Sequence, residues 1–322
     1  MADDIKISVV VPVFNVREFI PDAIKSLKDQ TFRDLEVIIV DDGTSDDTND
    51  LIWHEISSDP RFRCVRIPHS GYGKACNTGI ENASGNYVAI YEPDDLLAPD
   101  FYECLAEYAK MHPEVDVFRY NGFFKTNGTD RIHRYECYQK FTERVMDKYG
   151  TFRIWRFHPS VFNGIYKTSF IRKHHIVMCE TEGASYQDVP FMVSLFYAEP
   201  QVFLINQAKY FYVSHQNQSV KRPEDKLNAI FLNWEHELKW VKEQGCRDIG
   251  FCNYKMLMQL HFMTSRVRDP GEADRIYRYV CDKLDSIFFP LPEVAPLRHK
   301  FVCRKLYLSA LFRRIIGLCF GR

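Results

Sequence analysis

No Cys-x-x-Cys pair occurs in the 322 residues, and the ten cysteines, among them Cys64, Cys76, Cys104 and Cys179, follow no regular spacing. Without such pairs or a patterned framework, the cysteines are expected to be reduced, mostly packing residues of a cytosolic protein. Long apolar runs are missing too. No stretch reaches the roughly 18 to 20 apolar residues that a membrane-spanning helix requires. The amino terminus, Met1-Ala2-Asp3-Asp4-Ile5-Lys6, is acidic and leads straight into a strand pattern, without the apolar region of a signal peptide. Charge of one sign is lacking: 42 Lys and Arg against 43 Asp and Glu give a net charge of −1, so there is no global case for nucleic-acid binding. No internal repeat, low-complexity segment or strong glycine-rich triphosphate loop is visible. The expected location is the cytoplasm.

What is present is a hydrophobic content of 46%, enough for a sizeable core. Ile7 to Val13 is an almost unbroken β-branched run, as expected of a parallel strand buried on both faces. Ile20, Ala23, Ile24 and Leu27 follow at helical spacing, with Pro21 and Asp22 in the first turn. Leu35–Val40, Phe62–Ile67, Tyr87–Tyr91 and Val115–Tyr120 are further strands, alternating with helices near Leu51–Ile56, over Ala75–Asn82 and over Phe101–Met111. Strand and helix alternating in this way predict right-handed crossovers and an α/β fold with a mostly parallel central sheet flanked by helices. Residues 1–120 read as a nucleotide-binding unit. Between Asn121 and Gly150 the periodicity fades, Phe203–Val213 reads as a strand, and helical segments such as Ala229–Glu243 follow Pro223. The predicted division is 1–224, with a nucleotide half to about 120 and an acceptor half beyond it, then a helical region over 225–322.

Two acidic sets stand at the carboxyl ends of strands, Asp41-Asp42 after the second and Glu92, Asp94 and Asp95 after the fourth. Ligands of open α/β sheets bind at that edge. Carboxylates there can accept hydrogen bonds from a base or ribose, or share a divalent cation such as Mg²⁺ or Mn²⁺. A solvated acidic turn and an Asx cap are the plainer readings. Gly71-Tyr72-Gly73-Lys74 could bring backbone N–H groups and one ammonium to phosphate.

Taken in order, Ser8–Asn15, Val40–Asp46, Lys74–Ile80 and Glu92-Pro93-Asp94-Asp95 resemble glycosyltransferase family 2 over about the first 100 residues. The resemblance implies the GT-A fold, a Rossmann-like sheet that binds a nucleoside-diphosphate sugar and a divalent cation, Mn²⁺ or Mg²⁺. It implies a donor site at Pro12, Phe14, Asn15, Asp41, Asp42, Gly73, Lys74, Asn77, Glu92, Pro93 and Asp94, and a metal motif at Glu92, Asp94 and Asp95. Two positions depart from the family pattern. Glu92 replaces the usual first Asp of the motif, and Cys76 replaces a common Arg, so a phosphate contact would come from Lys74 or elsewhere. Further on, Gly183–Phe191 resembles the segment in which inverting members place their base, which implies that role for Asp188; a helix N-terminal charge is the other reading. Trp155, Asn163, Tyr166 and Gln187 resemble acceptor-side positions. His215 is read as a returning metal or diphosphate contact or as a hydrogen-bonded structural histidine.

From Arg298 onward the chain carries Lys and Arg but no acid, and Leu308, Leu311, Phe312, Ile315 and Cys319 share a helical face. Such a helix can lie on an anionic membrane surface or pack with its basic side solvated. The function expected is inverting transfer from a nucleoside-diphosphate sugar, UDP foremost, to a glycan, lipid-linked or cell-envelope acceptor, in the cytoplasm or on the inner face of the membrane. A catalytically silent donor-binding scaffold and a nucleotidyltransferase stand as alternatives.

Overall fold

The computed structural model describes residues 4–126, 132–136, 143–146, 160–181, 186–215, 223–246 and 248–264. Trp155 and the basic stretch 298–322 lie outside them. The chain divides into two compact units, Met1–Ser219 and Val220–Arg322.

The first unit begins with the run that the sequence marks most strongly. β1 (Ile7–Val13) is buried at every position, and each fully buried Val or Ile adds about 1.5–3 kcal/mol relative to exposure. α1 (Ile20–Lys28) turns Ile20, Ala23, Ile24 and Leu27 to the core. β2 (Leu35–Asp41), α2 (Thr48–Ile56), β3 (Phe62–Arg66), α3 (Tyr72–Asn82) and β4 (Tyr87–Ile90) continue the alternation. α4 (Phe101–Met111) and β6 (Val117–Thr126) complete the part whose elements the sequence pattern names, and β5 (Leu96–Leu97), between β4 and α4, is an addition to it.

β1 pairs in parallel with β2 on one side and with β4 on the other, and β2 pairs in parallel with β3. Chain order therefore reverses at the β1/β4 boundary, where open sheets leave a crevice beyond their carboxyl ends. The remainder of the sheet is mixed. β7 (Ile132–Glu136) pairs antiparallel with β6, and β8 (Val145–Met146) pairs antiparallel with β10 (Val202–Val213). β9 (Gly164–Lys167), a segment read from the sequence as acceptor-side, instead enters the centre of the sheet, antiparallel to both β4 and β6. β10 runs parallel to β6, and β5 closes antiparallel on β10. Two helices, α5 (Thr168–Lys173) and α6 (Asp188–Ala198), follow β9. The sheet is mixed where β5, β7, β8 and β9 enter it, and three of these four strands have four residues or fewer, which leaves little alternation to read.

β9 fits at the centre only because Gly164 has no side chain. A Cβ there would stand 2.1 Å from the Phe118 carbonyl oxygen on β6. The second unit contains α7 (Pro223–Glu243) and α8 (Gly250–Thr264), which pack on each other. Trp234 is buried and donates its indole N–H to Asn253 Oδ1 at 3.1 Å, linking the two helices. No helix among the described residues is long and apolar enough to cross a membrane.

Gly164→Ala forces β6 and β9 apart, and the expected cost is about 1–3 kcal/mol, as for other overpacked cores. A lower urea midpoint with native-like circular dichroism checks this; an unchanged midpoint would mean that the strand pair yields without strain.

Candidate active site

Beyond the end of β1 the chain turns at Asn15, which has a φ of 50°. Its Oδ1 accepts from Ser45 N–H at 3.0 Å, and its own N–H donates to Thr44 Oγ1 at 3.3 Å, so the loops after β1 and β2 are tied together. Asp41 is fully buried: Oδ1 accepts from Thr44 N–H and Oδ2 from the Asn49 amide, each at 2.8 Å. Asp42 holds the next loop, accepting at Oδ1 from Ser70 N–H (2.7 Å) and at Oδ2 from Gly71 N–H (2.9 Å) and the His69 ring (2.9 Å). That places the His69 ring flat against Phe14, with centroids 4.0 Å apart and planes 15° from parallel. Phe14 stays 42% exposed, an uncommon state for a large aromatic and one suited to stacking on a planar ligand.

At the end of β4 the four-residue stretch from Glu92 splits its acids three ways. Asp95 faces away from the crevice, 2% exposed, with Oδ2 accepting from Tyr210 O–H at 2.7 Å and Oδ1 from Val213 N–H at 2.8 Å. The metal position implied for Asp95 thus gives way to a bond with β10, because both of its oxygens are engaged there. Asp94 Oδ2 meets His215 Nε2 at 2.8 Å, and the His215 ring lies against Phe19 with centroids 4.6 Å apart. Glu92 accepts a short hydrogen bond from Tyr72 O–H.

α6 brings Asp188 to the same region. Asp188 opens this helix, behind the buried Gln187, whose amide donates to the Thr181 carbonyl and hydroxyl at 2.7 Å. Its charge raises the pKa values of Glu92, Tyr72 and Tyr166. Desolvation is the first cause of the Glu92 shift, followed by Asp94; together with Asp188, and against the Tyr72 hydrogen bond, they push its carboxyl up to about 8. Burial likewise drives the Cys76 thiol and the Tyr72 phenol well above their ordinary values. Cys76 therefore sits as a neutral group where the family pattern has a cation.

These elements enclose a cavity of about 670 Å³, lined by Pro12, Phe14, Asn15, Asp42, Glu92, Pro93, Asp94 and His215 among others. Several expected positions lie elsewhere. Asp41 is behind the loop it organises. The Asn77 amide donates to Met178 O at 3.0 Å and to Glu180 Oε1 at 2.9 Å and accepts from Met178 N–H at 2.8 Å, while Lys74 Nζ lies 3.4 Å from Glu180. Gly73 lets that segment approach, since a Cβ would be 2.1 Å from the Cys179 carbonyl oxygen. Neither Lys74, Asn77 nor Gly73 lines the cavity. Asn163 and Tyr166 are buried, bonded to the Tyr120 and Val161 carbonyls.

Tyr72, His69, Phe19 and Arg17 line the cavity without having been singled out by sequence. The only signal for Tyr72 was its place inside the Gly71–Lys74 loop, and α3 begins at Tyr72 rather than at Ala75. Among the described residues no group of three or more His, Cys, Asp or Glu is gathered to hold an ion. Asp94 and His215 form a two-residue donor set facing the cavity.

A family-wide sequence pattern described as Glycosyl transferase family 2 matches residues 8–174. The chain belongs to glycosyl transferase family 2. This family 2 chain is 27% identical over 225 residues to the uncharacterized glycosyltransferase EpsJ of Bacillus subtilis (strain 168), covering 67% of itself and 63% of that protein. It thus spans less than two thirds of the length of that relative. Among solved structures it is similar in fold to S. aureus TarS 1-349 in complex with UDP-GlcNAc, with a TM-score of 0.69 at 18% identity, over 98% of this chain and 92% of that one. It is also similar to the mannosyltransferase PcManGT of Pyrobaculum calidifontis in complex with GDP-Man and Mn²⁺, with a TM-score of 0.53 at 14% identity, over 97% and 87%. The fold of this family 2 member is GT-A.

A carboxyl whose folded pKa lies near 8 against an ordinary 4.5 favours the fold most when it is protonated. That contribution is complete below about pH 4.5 and is lost as pH rises towards 8. Glu92→Gln, studied with chelator present, is expected to flatten the fall in melting temperature between those limits. A slope equal to that of the wild type would show that Glu92 ionises as readily as in water.

Proposed function

We propose that this protein is a metal-dependent inverting glycosyltransferase, transferring a hexosyl or N-acetylhexosaminyl group from a nucleoside-diphosphate sugar, UDP foremost, to a hydroxyl of a glycan, lipid-linked or cell-envelope acceptor. One observation carries the reading. Phe14, Asp42, Glu92, Asp94 and His215 line a single cavity, and Asp188, outside that lining, exerts its charge on Glu92. A base and ribose suit the stacking face of Phe14, and a diphosphate and sugar suit Asp94 and His215. The nucleotide sugars in the TarS and PcManGT complexes support the same class of donor.

Asp94 and His215 would hold Mn²⁺ or Mg²⁺: the carboxylate oxygen is the ligand type that such ions favour, and the imidazole nitrogen 2.8 Å from it is the second donor. When bound, the ion supplies Lewis-acid stabilisation of charge on the departing diphosphate. The Mn²⁺ in the PcManGT complex is in keeping with this. Asp188 accepts the proton of the acceptor hydroxyl as its oxygen attacks the anomeric carbon. The bond from that carbon to the diphosphate oxygen breaks, its electron pair leaves with the nucleoside diphosphate, and the anomeric centre inverts. Asp42 keeps the His69 loop in place, so that Phe14 presents a stacking face. With Cys76 neutral and Lys74 turned to Glu180, Arg17 is, among the described residues, the cavity-lining Lys or Arg left to face phosphate, and its ion pair with the half-buried Asp47 at 3.1 Å is one that phosphate would replace. Residues 298–322 are kept as the proposed contact with an anionic membrane.

A thermal-shift screen of UDP and GDP sugars with Mn²⁺, Mg²⁺ or chelator tests the donor class. The expected result is metal-dependent stabilisation by one nucleotide sugar, about 2.7 kcal/mol at a ligand concentration near 100 Kd. Asp188→Asn is expected to retain that shift while transfer falls by about 10²–10⁴. Loss of both together would move Asp188 from base to scaffold, and no shift with any nucleotide would leave a non-catalytic role. Arg17→Gln is expected to weaken UDP about three- to tenfold, in the range of exposed charge contacts, and to leave uridine unchanged. Equal losses for both by calorimetry would assign Arg17 to the base end.

A further inference from the structure

His215 approaches Asp94 from a strand that belongs to a distant part of the chain, and the bonds that bring it there converge on the one acid of the cluster that does not face the cavity. Asp95 accepts from Tyr210 O–H and from Val213 N–H through different oxygens, at 2.7 and 2.8 Å. Its own carbonyl accepts from Tyr91 O–H at 2.6 Å. Next to it β5 pairs with β10, Leu97 opposite Tyr210 and Leu96 opposite Phe211, and Ala98 N–H donates to Lys209 O at 2.8 Å. The pairing with β5 ends at Tyr210–Phe211, while on its other edge β10 stays paired with β6 as far as Val213 and Ser214 N–H donates to Thr126 O at 2.7 Å. From there to His215, the Val213 bond to Asp95 is the link back to the acidic stretch, only two residues before the imidazole that meets Asp94.

We infer that Asp95 is a positioning residue: with β6 on the other edge of β10, its buried side chain fixes the edge that faces the acidic stretch, and so sets His215 beside Asp94 as the second donor of the cation site. The inference rests on the metal reading proposed above and gives a specific assignment within it. Of two adjacent aspartates, Asp94 contacts the ion, whereas Asp95 acts through His215 without touching it. The geometry has a chemical logic. An imidazole on a strand end would swing with that end, and a two-residue donor set binds a cation well only if both members are held before the ion arrives. Tyr210 is fully buried and stacks on Phe162 at 4.2 Å, so its hydroxyl is a fixed donor and the latch is anchored in the core.

The experiment is Mn²⁺ titration of the full chain in the presence of UDP, with free Mn²⁺ read by electron paramagnetic resonance, for wild type, Tyr210→Phe, Asp95→Asn, His215→Ala and the pair Asp95→Asn with His215→Ala. Thr168→Val, which removes a buried hydroxyl bonded to the Gly85 carbonyl before the amino end of β4, controls for loss of stability alone. Loss of a group that orients a metal ligand is expected to weaken Mn²⁺ about tenfold or more in Tyr210→Phe and Asp95→Asn. The double variant is expected to bind no more weakly than His215→Ala, because the latch has nothing left to position. Additive losses, or tighter Mn²⁺ in Tyr210→Phe, would make Asp95 a ligand and overturn the inference, as would unchanged affinity in Asp95→Asn. If the wild type binds no Mn²⁺, the metal reading falls by itself, and the histidine-ring NMR signals of the metal-free protein decide the latch. A shift of the His215 ring signals in Tyr210→Phe and Asp95→Asn, absent in Thr168→Val, is the expected result, and unmoved signals would end the proposal.

Discussion

Everything at the candidate site depends on β1 being buried on both faces between two parallel partners. Its register sets Val13 opposite Asp41 on β2 and Val10 opposite Ile90 on β4. Three strands therefore release their chains at one edge, and the loops that leave it carry Asn15, Asp42 and Asp94. Because β1 exposes no face, it has no freedom to slip: a one-residue shift would turn every side chain to the opposite layer. The edge has a fixed register for that reason, and the candidate site residues are placed on its loops.

Carboxylates do two different things at this edge. Asp41, Asp42 and Asp95 are buried, and each is satisfied by backbone N–H groups or fixed side chains. A buried carboxylate is costly unless so bonded, and here the bonding ties loop to loop: β1 to β2 through Asn15 and Thr44, β2 to the Ser70 loop through Asp42, and β4 to β10 through Asp95. Asp94 and Glu92 are left to face the cavity. Desolvation, then Asp94 and Asp188, push the Glu92 carboxyl up to about 8 against its hydrogen bond from Tyr72. Burial and hydrogen bonding, more than residue type, separate the acids that organise the site from those that can act in it.

The parallel half of the sheet was legible because its strands are near-continuous apolar runs bounded by helical periodicity, and β1 and α4 match their predicted limits. The two acidic sets were legible as a shared edge for the same reason. The mixed half was not. β9 has four residues and β8 two, too few for alternation to show, and β9 is admitted by a close approach at Gly164 that no local pattern announces. Tyr72 escaped notice because an aromatic beside glycines reads as packing until its hydroxyl is seen to meet Glu92.

Local pattern, by itself, determined the α/β alternation, the burial of β1, the placing of both acidic sets at strand ends and the likeness to family 2, because each of these depends on residues close together in the chain. Tertiary structure alone decided which acid faces the cavity, which lysine and asparagine are drawn away to Glu180, and that His215 meets Asp94 while Asp188 bears on Glu92. Those pairs are separated by 121 residues in the first case and by about a hundred in the others. The physical reason is that a side chain's role depends on what surrounds its polar atoms, and the surroundings are supplied by strands and helices that only the packed sheet brings into contact.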